Sequence, residues 1–442
     1  MTQAIATLLH ARWIVPVQPD GCVLEHHALA IQDDRILAIL PQAEAATRYR
    51  ADTTLHLDRH VLIPGLINAH THASMTLLRG LADDLPLMSW LQDHIWPAEA
   101  RWVDPDFVRD GTRLALAEML RGGTTCFNDM YFFPEVTATA VREAGMRACV
   151  GLIALDFPTA YARNLDEYLD KGLALHSELQ NDPLVRVAFA PHAPYTVSAS
   201  ALERIGRLAD ELDIPVHIHV HETAAEVADF EARHGCRPLA RLNQLGLVSP
   251  RLLAVHMTQL EPVEIDQLAQ AGAHIAHCPE SNLKLASGFC PSARLDAAGV
   301  NLALGTDGAA SNNDLDLFGE LRTAALLGKG VAGDAAALPA ARVLRMATLN
   351  GARALGLAAD IGSLEPGKAA DIVAVDFGQL ESAPVYHPIS QLVYATGRHQ
   401  VSDVWIAGRQ LLANRQLTTL DSDELLQRAQ RWQRDIGAGP GA

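Results

Sequence analysis

Lysine is the charged residue that this 442-residue chain uses least: only Lys171, Lys284, Lys329 and Lys368 occur. With 35 basic against 52 acidic residues the formal net charge is −17, and no basic stripe offsets it. A field of that sign argues against nucleic acid or an anionic membrane surface as the main partner. Long hydrophobic runs are missing too. No apolar stretch reaches the roughly 18–20 residues that span a bilayer. The opening "MTQAIATLLHARWIVPV" lacks the basic start, apolar core and cleavage site of a secretory leader. Cys22, Cys126, Cys149, Cys236, Cys278 and Cys290 are scattered without a C-x-x-C pair, which reads as reduced thiols. These absences predict a soluble, cytoplasmic protein.

What is present is a globular composition, 49% hydrophobic and 20% charged. Residues 1–62 alternate short β-like runs with turn residues and read as the N-terminal part of a small β domain. From residue 63 the text changes. Near-continuously apolar runs such as "RACVGLIAL", "VRVAFAPH", "LLAVHM" and "NLALGTD" alternate with amphipathic helical stretches such as "SASALERIGRLADEL". That alternation is the signature of a parallel sheet covered on both faces by helices. Seven or eight such units over 63–358 predict an α/β fold, a (β/α)8 TIM-like barrel. Residues 359–420 return to β text, as the C-terminal part of the first domain, so both chain ends build a β-sandwich beside the barrel. Residues 421–442 read as a helix, roughly 422–436, and a Gly/Pro tail.

Chemistry-bearing residues recur where the predicted strands end. In "PGLINAHTHASMTLLRG", His70 and His72 lie two residues apart, and residues i and i+2 of a strand share a face. Further strand ends carry His192, His219 with Glu222, His256 and Asp307. A barrel assembles its active site from that C-terminal rim. In "HIHVHE" three histidines share one face; His219 is favoured as the functional one because Glu222 follows just past the strand. His217 and His221 then read as packing or supporting residues. Asp307 precedes Gly308, which permits close backbone approach, and an aspartate there can hold a metal and accept a proton from water. His70, His72, His219 and Asp307 thus offer three nitrogens and a carboxylate, an open site suited to one zinc ion acting as Lewis acid.

The segments "PGLINAHTH", "PHAPYT", "HVHET", "AVHMTQL", "HCPESNLKLASG", "LGTDGAASNND" and "GSLEPGKAADIVAVD" follow one another across almost the whole chain. With them the sequence resembles the amidohydrolase superfamily, and within it the aminohydrolases that deaminate purines and related rings. The resemblance implies a barrel of the metal-dependent hydrolase type, with His70, His72, His219 and Asp307 as ligands of one divalent metal. It implies Glu222 as proton shuttle to ring nitrogen 1 of an adenine, and His256 and Asp307 as groups that orient and deprotonate the attacking water. Glu99 of "WPAEA" is implied to bind ribose hydroxyls. His192, Glu222 and Asp307 are implied to contact substrate, with Arg163 of "YARNLDEYL" standing for an arginine the family also uses. Two-metal relatives need a bridging group, often a carboxylated lysine at a strand end, and none of the four lysines falls there.

The implied substrate is an adenine nucleoside: 5′-methylthioadenosine, S-adenosylhomocysteine or adenosine. An alternative is deamination or dechlorination of another ring, guanine or an s-triazine, by the same metal site. A carboxylate such as Glu99 favours the ribosyl substrate, since a bare base offers no vicinal hydroxyls. Met75, Leu78, Leu85, Trp90 and Trp96 are expected either to line the pocket or to form the core of the long loop. Homo-oligomerisation is left open.

Overall fold

The computed structural model describes residues 2–438. Among the described residues, sixteen strands fall into two sheets. The N-terminal strands are β1 (Gln3–Ile14), β2 (Leu24–Gln32), β3 (Arg35–Pro41) and β4 (Tyr49–Pro64). The barrel strands are β5 (Leu66–Thr71), β6 (Thr124–Asp129), β7 (Arg147–Ala154), β8 (Val185–Pro191), β9 (Val216–Val220), β10 (Leu252–His256), β11 (His274–His277) and β12 (Asn301–Leu304). The C-terminal strands are β13 (Ile372–Asp376), β14 (Val401–Ile406), β15 (Arg409–Ala413) and β16 (Gln416–Leu417).

β5 to β12 pair in chain order and all in parallel. Each of β5, β6, β9 and β10 is buried along its whole length, as strands covered on both faces must be. The two ends of this sheet approach one another where the Asp307 N–H donates to the His70 carbonyl at 3.0 Å. Gly305 makes that approach possible: a Cβ there would lie 2.8 Å from the His70 nitrogen. Small side chains fill the interior, among them Ala69, Cys126, Cys149, Ala276, Cys278 and Ala303. All six cysteines are free, and those inside the barrel act as small hydrophobes.

The helices around the barrel start on recognisable caps. Asp104, Asn164 and Ser198 each accept a backbone N–H of the turn they open, and Thr223 forms a reciprocal capping box with Glu226. The helix Ala199–Leu212 buries Ala201, Leu202, Ile205 and Ala209 along one stripe against the sheet.

The second sheet runs β16-β15-β14-β13-β4-β1-β2-β3, so both chain ends meet in one structure where β13 lies antiparallel to β4. The C-terminal helix spans Ser422–Gly437 and returns to the barrel. There Trp432 packs edge-on against Phe107 and its indole N–H donates to Asp110 at 3.1 Å. Among the described residues, no helix is long and apolar enough to cross a membrane.

A bidentate ion pair ties the sheets together. Arg147, at the start of β7, donates from Nε to Asp371 Oδ2 at 2.7 Å and from a second nitrogen to Oδ1 at 3.3 Å. The Ala407 N–H also donates to that carboxylate, at 2.8 Å. Removing one partner of a buried pair strands the other charge and costs about 3–5 kcal/mol. Asp371→Ala should therefore lower the unfolding free energy by about that amount. Thermal denaturation checks this, and an unchanged melting temperature would contradict it.

Candidate metal centre and substrate cavity

The register of β5 delivers His70 to the barrel rim, with His72 just beyond the strand end, and β9 delivers His219. Asp307 follows β12 in a left-handed backbone conformation, φ 61°. One donor atom from each of these four residues lies within 4.8 Å of the other three. His70 Nε2 and His72 Nε2 each stand 3.2 Å from Asp307 Oδ1, and His219 Nε2 stands 3.2 Å from His70 Nε2.

The outer nitrogens decide what this arrangement can hold. His72 Nδ1–H donates to the Met130 carbonyl at 2.6 Å, and His219 Nδ1–H donates to the His192 carbonyl at 2.8 Å. A carbonyl only accepts, so both rings carry their proton outside and turn a bare Nε2 lone pair inward. His70 Nδ1 meets His217 Nε2 at 2.8 Å in the same outward role. Lone pairs and a carboxylate converging in a buried volume need a cation between them, and three imidazoles with one carboxylate suit a divalent transition metal.

Asp307 is built for that charge. Burial opposes its ionisation, but hydrogen bonds and charge from His70 and His72 hold it well below the usual carboxylate range. Its Oδ2 accepts from Ser281 Oγ at 2.6 Å and Ser311 Oγ at 2.8 Å. Against burial, the same carboxylate raises His72 to about 9, so a proton and a metal ion compete for one lone pair.

A cavity of about 640 Å³ opens over the cluster, and Glu99, Tyr131, His192, Glu222 and His256 line it with His72, His219 and Asp307. Burial, and next the Asp307 charge, raises Glu222 to about 8 despite the opposing pull of His72. Glu222 Oε2 lies 3.8 Å from His256 Nε2. His256 Nδ1–H donates to Asn282 Oδ1 at 2.9 Å, which leaves the Nε2 lone pair facing the cavity. His192, lowered to about 3 by burial and then by the neighbouring histidines, pairs through Nδ1 with Thr196 Oγ1 at 3.0 Å. Glu99, on the helix Trp96–Trp102, is raised to about 7 by burial, with the Tyr131 O–H donating to its Oε1 at 2.8 Å in opposition. His256, the last residue of β10, and Asp307, just past β12, both have positive φ, the kind of local strain that gathers where a rim must aim side chains inward.

Arg163 stands elsewhere. Its side chain is 84% exposed, its Nε donates to Glu167 at 2.7 Å, and it is absent from the cavity wall. It sits just before the Asn164 cap of the helix Leu165–Leu179, where the i,i+4 carboxylate of Glu167 holds it toward solvent. Met75, Trp90 and Trp96 line the cavity. Leu78 and Leu85 instead join the hydrophobic cluster of Ile95 and Phe107 behind it. His217 supports His70, and His221 accepts the Leu239 N–H, so neither faces the cavity. Ser281, Asn282 and Ser311 lie inside motif text that is visible in the sequence, whereas nothing local marks Met130 or Tyr131.

A parallel barrel carrying three histidines and an aspartate at its C-terminal rim defines the class of metal-dependent hydrolase barrels. This chain belongs to the amidohydrolase family, whose sequence profile matches residues 61–411. It is 52% identical over 431 residues to the 5-methylthioadenosine/S-adenosylhomocysteine deaminase of Saccharophagus degradans, covering 98% of this chain and 97% of that one. It is 53% identical over 437 residues to the protein of the same name from Teredinibacter turnerae, covering 99% of each. Among solved structures, an adenosine deaminase from Xanthomonas campestris with bound zinc superimposes with a TM-score of 0.98 at 56% identity, over 99% of this chain and 100% of that one. An atrazine chlorohydrolase from Arthrobacter aurescens complexed with zinc shares the fold, with a TM-score of 0.90 at 24% identity over 96% and 99%.

If His217 fixes the His70 ring, removing it should weaken metal binding roughly 10–100-fold, as loss of such supporting partners does. His217→Ala in competition with a chelator measures this, and an affinity equal to that of the unchanged protein would contradict it.

Proposed function

We propose that this chain is a hydrolytic deaminase of adenine nucleosides. It converts 5′-methylthioadenosine, S-adenosylhomocysteine or adenosine into the inosine analogue and ammonia. In this reading His70, His72, His219 and Asp307 hold one divalent ion, zinc as in the Xanthomonas campestris protein. The observation that carries the proposal is the geometry of one cavity wall, where Glu222, with its Oε2 3.8 Å from His256 Nε2, faces the same space as the cluster of three histidines and Asp307.

Carbon 6 of adenine resists attack until ring nitrogen 1 is protonated. Glu222, as the acid form, supplies that proton and lies where His256 is its neighbour. A divalent ion held by His70, His72, His219 and Asp307 would supply Lewis acidity, bringing the pKa of water toward about 7. His256, its outer nitrogen fixed by Asn282, accepts a hydrogen bond from the attacking water through Nε2. Asp307 takes the proton the water loses. The water oxygen bonds to carbon 6 to give a tetrahedral adduct. Asp307 passes the proton it took to the amino group, the carbon–nitrogen bond breaks and ammonia leaves. The remaining hydroxyl proton returns to Glu222, which leaves a carbonyl at carbon 6 and the proton on ring nitrogen 1. Glu99 accepts from the ribose hydroxyls, with the Tyr131 O–H held on the same carboxylate, and His192, just past β8 on the same rim, contacts the substrate.

Free cysteines throughout and the absence of a membrane-spanning helix among the described residues support a cytoplasmic location. Deamination of another ring would use the same cluster, but the placement of Glu99 and Tyr131 in the cavity favours a ribosyl substrate.

Ammonia release from adenine nucleosides, guanine and an s-triazine, assayed side by side, tests the reading. Turnover confined to the nucleosides is expected, and turnover confined to the bare rings would overturn it. Glu222→Gln, which cannot deliver a proton, should lose about 10²–10⁴-fold in kcat. Because the acid form of Glu222 is the active one, kcat/KM should fall as pH rises through its pKa. A bound cation lowers a carboxyl pKa, so this fall is expected at or below the value of about 8 set by burial and Asp307. A rate rising through that range would contradict the assignment.

A further inference from the structure

On the reading above, the wall of the cavity also meets the 5′ substituent of the nucleoside. With adenine against Glu222 and His256, and ribose against Glu99, the 5′ group meets the rest of the wall. Trp90, Ile95 and Trp96 build one side of it, and Leu155 and Phe157, which follow β7, build another. Among the described residues lining the cavity there is no lysine or arginine. Arg101 shares the helix of Glu99 but stacks over the Trp102 ring at 4.7 Å and does not line the cavity. Arg163, three residues beyond the wall residue Ala160, faces solvent and pairs with Glu167.

Size does not separate the substrates, since about 640 Å³ accommodates either nucleoside. Charge does. A methylthio group is neutral and gains by leaving water for indole and alkyl surface. A homocysteine tail brings an ammonium and a carboxylate, and a carboxylate taken from water without a cationic partner is costly. Glu99 could attract the ammonium, but on the reading above its oxygens are engaged by ribose and Tyr131.

Resting on the nucleoside-deaminase reading, we propose that the cavity selects adenosines with a neutral 5′-alkylthio group, 5′-methylthioadenosine above S-adenosylhomocysteine. The selection arises from an apolar wall without a cation, so a cation placed in that wall should relax it. Phe157, a wall residue left 44% exposed, is the place to put one.

The experiment measures kcat/KM for 5′-methylthioadenosine and S-adenosylhomocysteine with the metal-loaded full-length enzyme and with Phe157→Arg, by ammonia release in one buffer. The ratio within each protein is independent of how much of the sample is folded. A preference of about 100-fold for 5′-methylthioadenosine is expected, which is about 2.8 kcal/mol at 1.4 kcal/mol per tenfold. Phe157→Arg should narrow it about tenfold by improving S-adenosylhomocysteine. A ratio below about tenfold in the unchanged enzyme overturns the proposal, and so does a ratio that Phe157→Arg leaves unaltered. If neither nucleoside is deaminated while another ring is, the failure belongs to the nucleoside reading instead.

Discussion

Three imidazole lone pairs and one carboxylate, brought within 4.8 Å of each other, set the terms for the rest of this molecule. Such a cluster is repulsive unless a cation or protons occupy it, and burial removes the water that would otherwise screen it. The surrounding structure is arranged to keep it so. Carbonyls of Met130 and His192 hold the outward protons of His72 and His219, and two serine hydroxyls engage the far oxygen of Asp307. The barrel supplies the geometry, because its strands deliver residues from distant parts of the chain to one rim. The contact of Asp307 with the His70 carbonyl makes the meeting of the last and first strands part of the metal site itself.

The same burial that favours a cation in the cluster tunes the acids above it. Glu222 and Glu99 face one cavity, and both are pushed upward chiefly by loss of water. They differ in what opposes that push. Tyr131 donates to Glu99 and favours its charged form, whereas Asp307 adds to the desolvation of Glu222 and favours its neutral one. In the proposed reading the two carboxyls take opposite tasks, Glu99 accepting hydroxyl protons in hydrogen bonds and Glu222 donating a proton to a ring.

How much of this was legible in the sequence follows from the range of each signal. Period-two spacing put His70 and His72 on one face without any knowledge of partners, although β5 ends at Thr71 and His72 reaches the cluster from just beyond it. Apolar runs ending in His192, His219, His256 and Asp307 made the rim readable once a parallel barrel was inferred. Arg163 was misplaced because its surroundings depend on the helix cap at Asn164 and the pairing with Glu167, which motif text does not reveal. Leu78 and Leu85 share their composition with true wall residues, and only packing of the 73–102 segment decides which side chains face the cavity. Asn282 sits in quoted motif text, yet its service to His256 is a tertiary contact between neighbouring strand ends. Tyr131 had no local mark at all, since its partner Glu99 lies 32 residues earlier.

The claim on which the account stands is that one cation is shared by His70, His72, His219 and Asp307. Crystals of the protein purified without chelators, with diffraction recorded above and below the zinc absorption edge, test it most directly. The account predicts a single anomalous peak in contact with all four side chains. Well-ordered side chains at these positions with no peak between them, or a peak held by a different set of residues, would contradict it.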